Sequence, residues 1–340
     1  MSSVLPGSIF AAYRLSAVAW VETESLSFLA RHESEDAAGA KRTLDELEDL
    51  RLSLEDRFDE VPDEITVVIH PTPAWLAAAH PFLPLARWAA APAGRRYLAG
   101  WPMVGEIHVL NDYWTERRAA GEDSLIALRG TAERMYCQLV LAANNEQLPP
   151  MWTPRHFLTY LHWAWLIEGA SQYFTAQSSL FRAAVITRLR EGEKPRFPPS
   201  RRDAVLLGGT VFDLLDRAVG PDACGRLVSR LHRAGPRGNL ELVFESPMRE
   251  IERAWRRQLD EILYPQPERL EAPSLSEALD QTSPARASET QPFDLELGAP
   301  PEFDFSSGGG LVEEVDEGEG REQGGEQPGR EPGRRADPGH

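Results

Sequence analysis

The sequence is poor in lysine, in cysteine and in long apolar runs, and each shortage excludes something. Of its 36 basic residues only Lys41 and Lys194 are lysine, leaving 34 arginines. That bias reads as a GC-rich coding sequence rather than as lysine chemistry. Two cysteines, Cys137 and Cys224, are too few for a disulfide framework and read as buried free thiols. No stretch approaches the roughly 18 consecutive apolar residues of a membrane-crossing helix. The composition also offers no basic patch of the kind that suggests nucleic acid as a partner.

Charge is unevenly placed. Residues 270–340 carry 17 acidic and 5 basic side chains, a net of −12 out of −17, which leaves −5 for the rest of the chain. Rich in Glu, Pro, Gly and Ser, this tail buries too little apolar surface to offset its ordering entropy, and disorder is expected from about residue 264 to 340. Two acidic-hydrophobic stretches in it, Pro292-Phe293-Asp294-Leu295-Glu296-Leu297 and Glu302-Phe303-Asp304-Phe305, have the composition of docking segments. At the other end, Val4 to Trp20 is moderately apolar and Ala17-Val18-Ala19 looks like a signal-peptidase site. A basic n-region is missing, however, and Pro6, Gly7 and Arg14 interrupt the run. A cytoplasmic protein with a short N-terminal extension over 1–23 is the expectation.

Between these ends the pattern predicts strands first and helices after, an α+β architecture. An alternating stretch within 18–32 predicts a strand, and Leu44, Leu47, Leu54 and Phe58 mark the buried face of a helix over 35–60. The β-branched run 65–70 predicts a second strand, ended by Pro71. A helix over 74–90 contains Pro81 and Pro84, where a break is expected. Gly105, Glu106, Ile107, His108, Val109 and Leu110 predict a further strand, then one helix over 124–145. Thr153-Pro154 is a cap-plus-first-residue signal for the next helix. Further helices are expected over about 178–190, 203–219, 221–233 and 247–263.

The most informative stretch is Trp165-Leu166-Ile167-Glu168-Gly169-Ala170-Ser171-Gln172-Tyr173-Phe174. It resembles the second half of the site of gluzincin zinc peptidases (peptidase MA-like domains). The resemblance implies a zincin-like domain over 24–263, with a small N-terminal mixed sheet and a helical C-terminal half. It also places Glu168 at the third metal-ligand position. The family's HExxH helix matches Thr131-Ala132-Glu133-Arg134-Met135-Tyr136-Cys137. Glu133 then stands at the general-base position, but Ala132 and Tyr136 occupy the places of the two histidines. The segments 203–220 and 239–256 resemble the family's later helices.

In that family HExxH sets two imidazoles one turn apart on one helix face around a single zinc, which activates a water. Ala132 has no donor atom, and the Tyr136 phenol titrates near 10, too high to ligate zinc at neutral pH. No zinc or other cofactor is therefore expected. Cys137 shares a face with Glu133 and offers an atypical ligand, whereas His156 and His162 lie about 600° apart around a helix and form no pair. Glu133 and Glu168 could also act as an acid/base pair without metal. The plainer expectation is that each pairs with Arg129 or Arg134, or hydrogen-bonds Tyr136 or Tyr173, the last a possible site-lining residue. The tryptophans, Trp163 and Trp165 included, read chiefly as core.

Three functions remain on this reading. The favoured one is an inactive peptidase-like protein that binds a peptide or protein segment, with Gly105, Glu106, Ile107 and His108 on an edge strand open to backbone pairing. The others are an active zinc peptidase with atypical ligands, and an assembly protein that recruits partners through its acidic tail.

Overall fold

The computed structural model describes residues 20–148, 150 and 153–264. All belong to the first of two units into which the chain divides, Met1–Ala272; the second is Pro273–His340. The segment up to residue 19 and the acidic tail from 265 lie outside the described residues.

The fold is mixed α+β, with one five-stranded sheet and a larger helical part. β1 (Trp20–Glu24) and β2 (Phe28–Glu33) form an antiparallel hairpin. The single strand expected within 18–32 is thus two, because the chain reverses at Ser25–Ser27. There the Glu48 carboxylate accepts the Ser25 hydroxyl at 2.7 Å and the Ser27 N–H at 2.6 Å. Trp20 to Glu24 accordingly belong to the sheet, not to an extension ending at residue 23. After α1 (Ala37–Glu55) comes β3 (Ile65–His70), parallel to β2.

The predicted helix over 74–90 is broken, as its prolines suggest, into α2 (Pro73–Ala79) and α3 (Leu83–Ala89). β4 (Gly100–Met103) and β5 (Glu106–Leu110) complete the sheet in the order β1-β2-β3-β5-β4. β5 pairs parallel with β3 on one side and antiparallel with β4 on the other. This corrects the expectation for Gly105, Glu106, Ile107 and His108. Gly105 is a positive-φ turn residue, and the other three lie on an interior strand whose backbone is already paired. The edge on that side is β4, four residues that show no alternation and contain Pro102, a residue tolerated at a sheet edge because it lacks an N–H.

Side-chain alternation divides the sheet into two faces. Ala30, Val67, Ile69, Ile107 and Val109 point to one face and are buried. Leu44, Leu47 and Leu54 of α1 are buried as well, while Lys41–Asp45 and Arg51–Glu55 pairs occupy its solvent side. The opposite face carries His70, His108 and Trp101; His80, at the end of α2, packs against Trp101 at 4.5 Å between ring centroids, the rings tilted by 41°.

The remainder is helical: α4 (Asp112–Arg118), α5 (Glu122–Arg129), α6 (Thr131–Ala143), α7 (Pro154–Phe174), α8 (Arg182–Arg190), α9 (Ala204–Val219), α10 (Pro221–Ser229), α11 (Gly235–Phe244) and α12 (Met248–Leu263). One difference from expectation matters. The helix over 124–145 is two helices meeting at Gly130, where the Gln177 side chain presses on the backbone so closely that any Cβ would collide with it. From Trp163 on, α7 is buried on nearly every side, as expected of a central helix without a polar stripe. Thr153 caps it by accepting the His156 N–H at 3.2 Å.

α7 and α9 approach each other closely through Gly169 and Gly208. A Cβ on Gly169 would fall 2.5 Å from the Gly208 carbonyl, and one on Gly208 would fall 2.6 Å from the Trp165 oxygen. The glycine of the Trp-Leu-Ile-Glu-Gly stretch is therefore needed for packing. Among the described residues no helix is long and apolar enough to cross a membrane.

Candidate functional site

The two glutamates singled out by sequence reside on neighbouring helices, Glu133 on α6 and Glu168 on α7, yet they face different partners. Glu168 is 4% exposed and accepts the Tyr160 hydroxyl at 2.7 Å, from two turns earlier on its own helix. Burial raises its carboxyl above the ordinary range, while Tyr160, the charge of Arg134 and the amide of Gln138 work in the opposite direction. Glu133 accepts the Gln177 amide at 2.7 Å, and the same nitrogen donates to the Gly130 carbonyl at 3.1 Å. Burial and the nearby Glu46 raise the Glu133 carboxyl to about 7.

Between them stands Arg134, fully buried. Its guanidinium donates to the Ala127 carbonyl, to Gln177 Oε1 and, at 3.2 Å, to the Thr131 hydroxyl, and it lies over the Phe181 ring at 5.3 Å. Burial pulls it down to about 10, against the attraction of Glu168 and Glu133, so it remains a cation at neutral pH. Gln177 thus bonds both Glu133 and Arg134 and joins the end of α7 to the start of α6.

Ala132 and Tyr136 are not part of this arrangement. Ala132 faces the sheet, in a crevice shared with Ile69, Ala99 and Leu110. Tyr136 packs edge-on against Phe28 at 4.9 Å and donates its hydroxyl to the Pro62 carbonyl at 2.6 Å. Arg134 and Gln138 lie two residues on from them, about 200° around a helix, and so face α7 instead. They are themselves one turn apart and are the α6 side chains that flank Glu168. The histidine positions inferred from the resemblance therefore point away from the glutamate they were expected to join.

The residues present do not fit a zinc ion. Ala132 has no donor, the Tyr136 phenol is pushed up by burial, and Glu168 is engaged by Tyr160. Cys137 is fully buried with its thiol raised in turn. Among the described residues no group of three or more His, Cys, Asp or Glu side chains is placed to hold a metal.

Tyr173 is also remote from the pair, since five residues along α7 turn it about 140° from Glu168. It stacks on Phe212 at 5.8 Å and lines a separate cleft with Arg57 and Asp213. Arg129 pairs with Glu116 at 2.9 Å and reaches neither glutamate by an ion pair. Trp101, Trp163, Trp165 and Trp255 are core, whereas Trp88 is exposed. Sequence reasoning missed Tyr160, Gln138 and Gln177 as partners; the one available signal was the one-turn spacing of Arg134 and Gln138.

The arrangement holds a buried cation near two carboxyl groups, its hydrogen bonds going to Ala127, Gln177 and Thr131. The expected ion pair of Arg134 with Glu133 or Glu168 does not form within 4 Å, and at Glu168 solvent is excluded. Comparison with known proteins adds no relative: no family model matches the chain, and neither a curated protein nor a solved structure matches it significantly.

Proposed function

We propose that this chain is a non-catalytic relative of the gluzincin peptidases that binds a peptide or protein segment instead of cleaving it. The observation that carries the reading is Arg134. Its guanidinium, held by Gln177, makes no ion pair with the glutamate of the Trp-Leu-Ile-Glu-Gly helix but lies near enough for its positive charge to favour the ionised carboxyl there. A guanidinium neutralises a carboxylate but activates no water and leaves no coordination position open, so hydrolysis through a metal has no place at this glutamate. Binding needs no such chemistry. Backbone pairing with an extended segment falls to β1, whose residues are largely exposed and which is paired on one side only within the described sheet.

The test is incubation of the purified chain with a mixed peptide library, with and without chelator, alongside metal analysis after dialysis. No turnover under either condition, with peptides retained on the immobilised protein, is the expected result. Chelator-sensitive cleavage with about one zinc per chain would overturn it.

A further inference from the structure

One segment of the chain stands apart from its acidic balance. Between Asp222 and Glu241 there is no carboxylate, but there are Arg226, Arg230, His232, Arg233 and Arg237. The lack of a basic patch expected from overall composition therefore does not hold locally. None of the four arginines makes an ion pair with a described carboxylate.

The fold gathers this run around a groove. Between the end of α10 and the face of α11 lies a concavity of about 750 Å³, within the range of ligand-binding clefts. Leu231 and Val243 form its floor, both buried, and Leu242, 64% exposed, stands beside them. Arg226, Arg230 and Arg233 stand around them, with Glu245 the one acidic residue at the rim. The wall is built rather than loose. Asn239, buried, accepts the His232 N–H at 3.1 Å and donates to the Leu227 carbonyl at 3.0 Å, tying the 230–234 loop to both helices. His232 Nδ1 in turn accepts the Ala234 N–H at 3.1 Å.

We propose that this groove binds an acidic peptide segment of a partner protein in which Asp or Glu alternates with Leu or Phe. The apolar residues would lie on Leu231, Leu242 and Val243, and the carboxylates would meet the three guanidinium groups of the rim. Arginine suits this role because its planar fork engages a carboxylate through two parallel hydrogen bonds. The apolar floor favours a peptide over a polynucleotide, because no Phe, Tyr or Trp ring lines the groove for a base to stack on. With α10 and α11 already tied together, little ordering of the protein is required on binding. The groove is formed by helices other than those that carry Glu133 and Glu168, so its role does not depend on the peptidase-like reading.

Fluorescence anisotropy tests it, with the intact chain and a labelled synthetic peptide in which Asp and Glu alternate with Leu and Phe. Saturable binding is expected. It should weaken by about tenfold or more in the combined Arg226→Glu, Arg230→Glu, Arg233→Glu variant, and similarly in Leu242→Asp. A control peptide with every Leu and Phe replaced by Ser should also bind about tenfold more weakly. Circular dichroism checks that each variant is folded; if the triple variant is not, Leu242→Asp and single Arg→Gln changes carry the test, all at exposed positions. The proposal is overturned if folded variants bind as the parent does, or if an oligothymidylate competes as well as the peptide while the Ser-substituted control binds equally. Neither measurement reads hydrolysis or metal content, so failure here leaves the reading of Glu168 untouched.

Discussion

Replacing Glu133 with glutamine should stabilise the protein at alkaline pH and leave it unchanged at acid pH. The carboxyl of Glu133 is raised from its ordinary 4.5 to about 7 by burial and by Glu46. A raised carboxyl means that the folded chain keeps a proton that the unfolded chain releases. Stability therefore falls as pH rises from about 4.5 to about 7 and stays at the lower level beyond. At about 1.4 kcal/mol for each pH unit this window is worth at most about 3.5 kcal/mol. The attraction of Arg134 is already contained in that window; the glutamine amide replaces a protonated carboxyl imperfectly, so about 1–2 kcal/mol at pH near 8 is expected. The amide oxygen that Glu133→Gln introduces can still accept the Gln177 amide, so the bond made at 2.7 Å survives the change. The assay is urea unfolding of both proteins at an acid and an alkaline pH, with the carboxyl resonance of Glu133 followed by NMR. If the variant proves less stable at alkaline pH, the ionised carboxylate is an asset to the fold and the account of a desolvated, proton-holding Glu133 is wrong.

Two further substitutions probe the same helices. Tyr160→Phe removes the hydroxyl bound to Glu168 at 2.7 Å and should cost about 1.5–3 kcal/mol in chemical unfolding; a loss within experimental error would show that Glu168 is satisfied without it. Gly208→Ala places a methyl group 2.6 Å from the Trp165 carbonyl oxygen, so α7 and α9 must separate. A destabilisation of about 1–3 kcal/mol is expected despite the intrinsic helix preference of alanine, and a variant more stable than the parent would contradict the close packing.

Much of the architecture was legible because local pattern and tertiary outcome agree. β3 was readable residue for residue, since a β-branched run bounded by Pro71 has few alternatives to a buried strand. The Thr153 cap, the helical second half and the break near Pro81 were equally plain, each resting on side chains that act on their own backbone. The hairpin turn at Ser25–Ser27 and the break at Gly130 were not legible. Both depend on side chains far away in sequence, Glu48 for one and Gln177 for the other. β4 was hidden for a related reason, since Gly100 to Met103 becomes a strand only by pairing with β5.

For the candidate site the division is similar. Sequence alone determined that Glu133 and Glu168 would sit on successive helices, and that Ala132 and Tyr136 supply no histidine ligands. Which way each helix turns was decided by packing. The sheet claims the face of α6 that bears Ala132 and Tyr136, because apolar area is buried there. That orientation turns Arg134 and Gln138 toward α7 and Glu168. A helix presents its faces at about 100° per residue, so an offset of two positions decides whether a side chain of α6 meets the sheet or the buried polar group around Glu168.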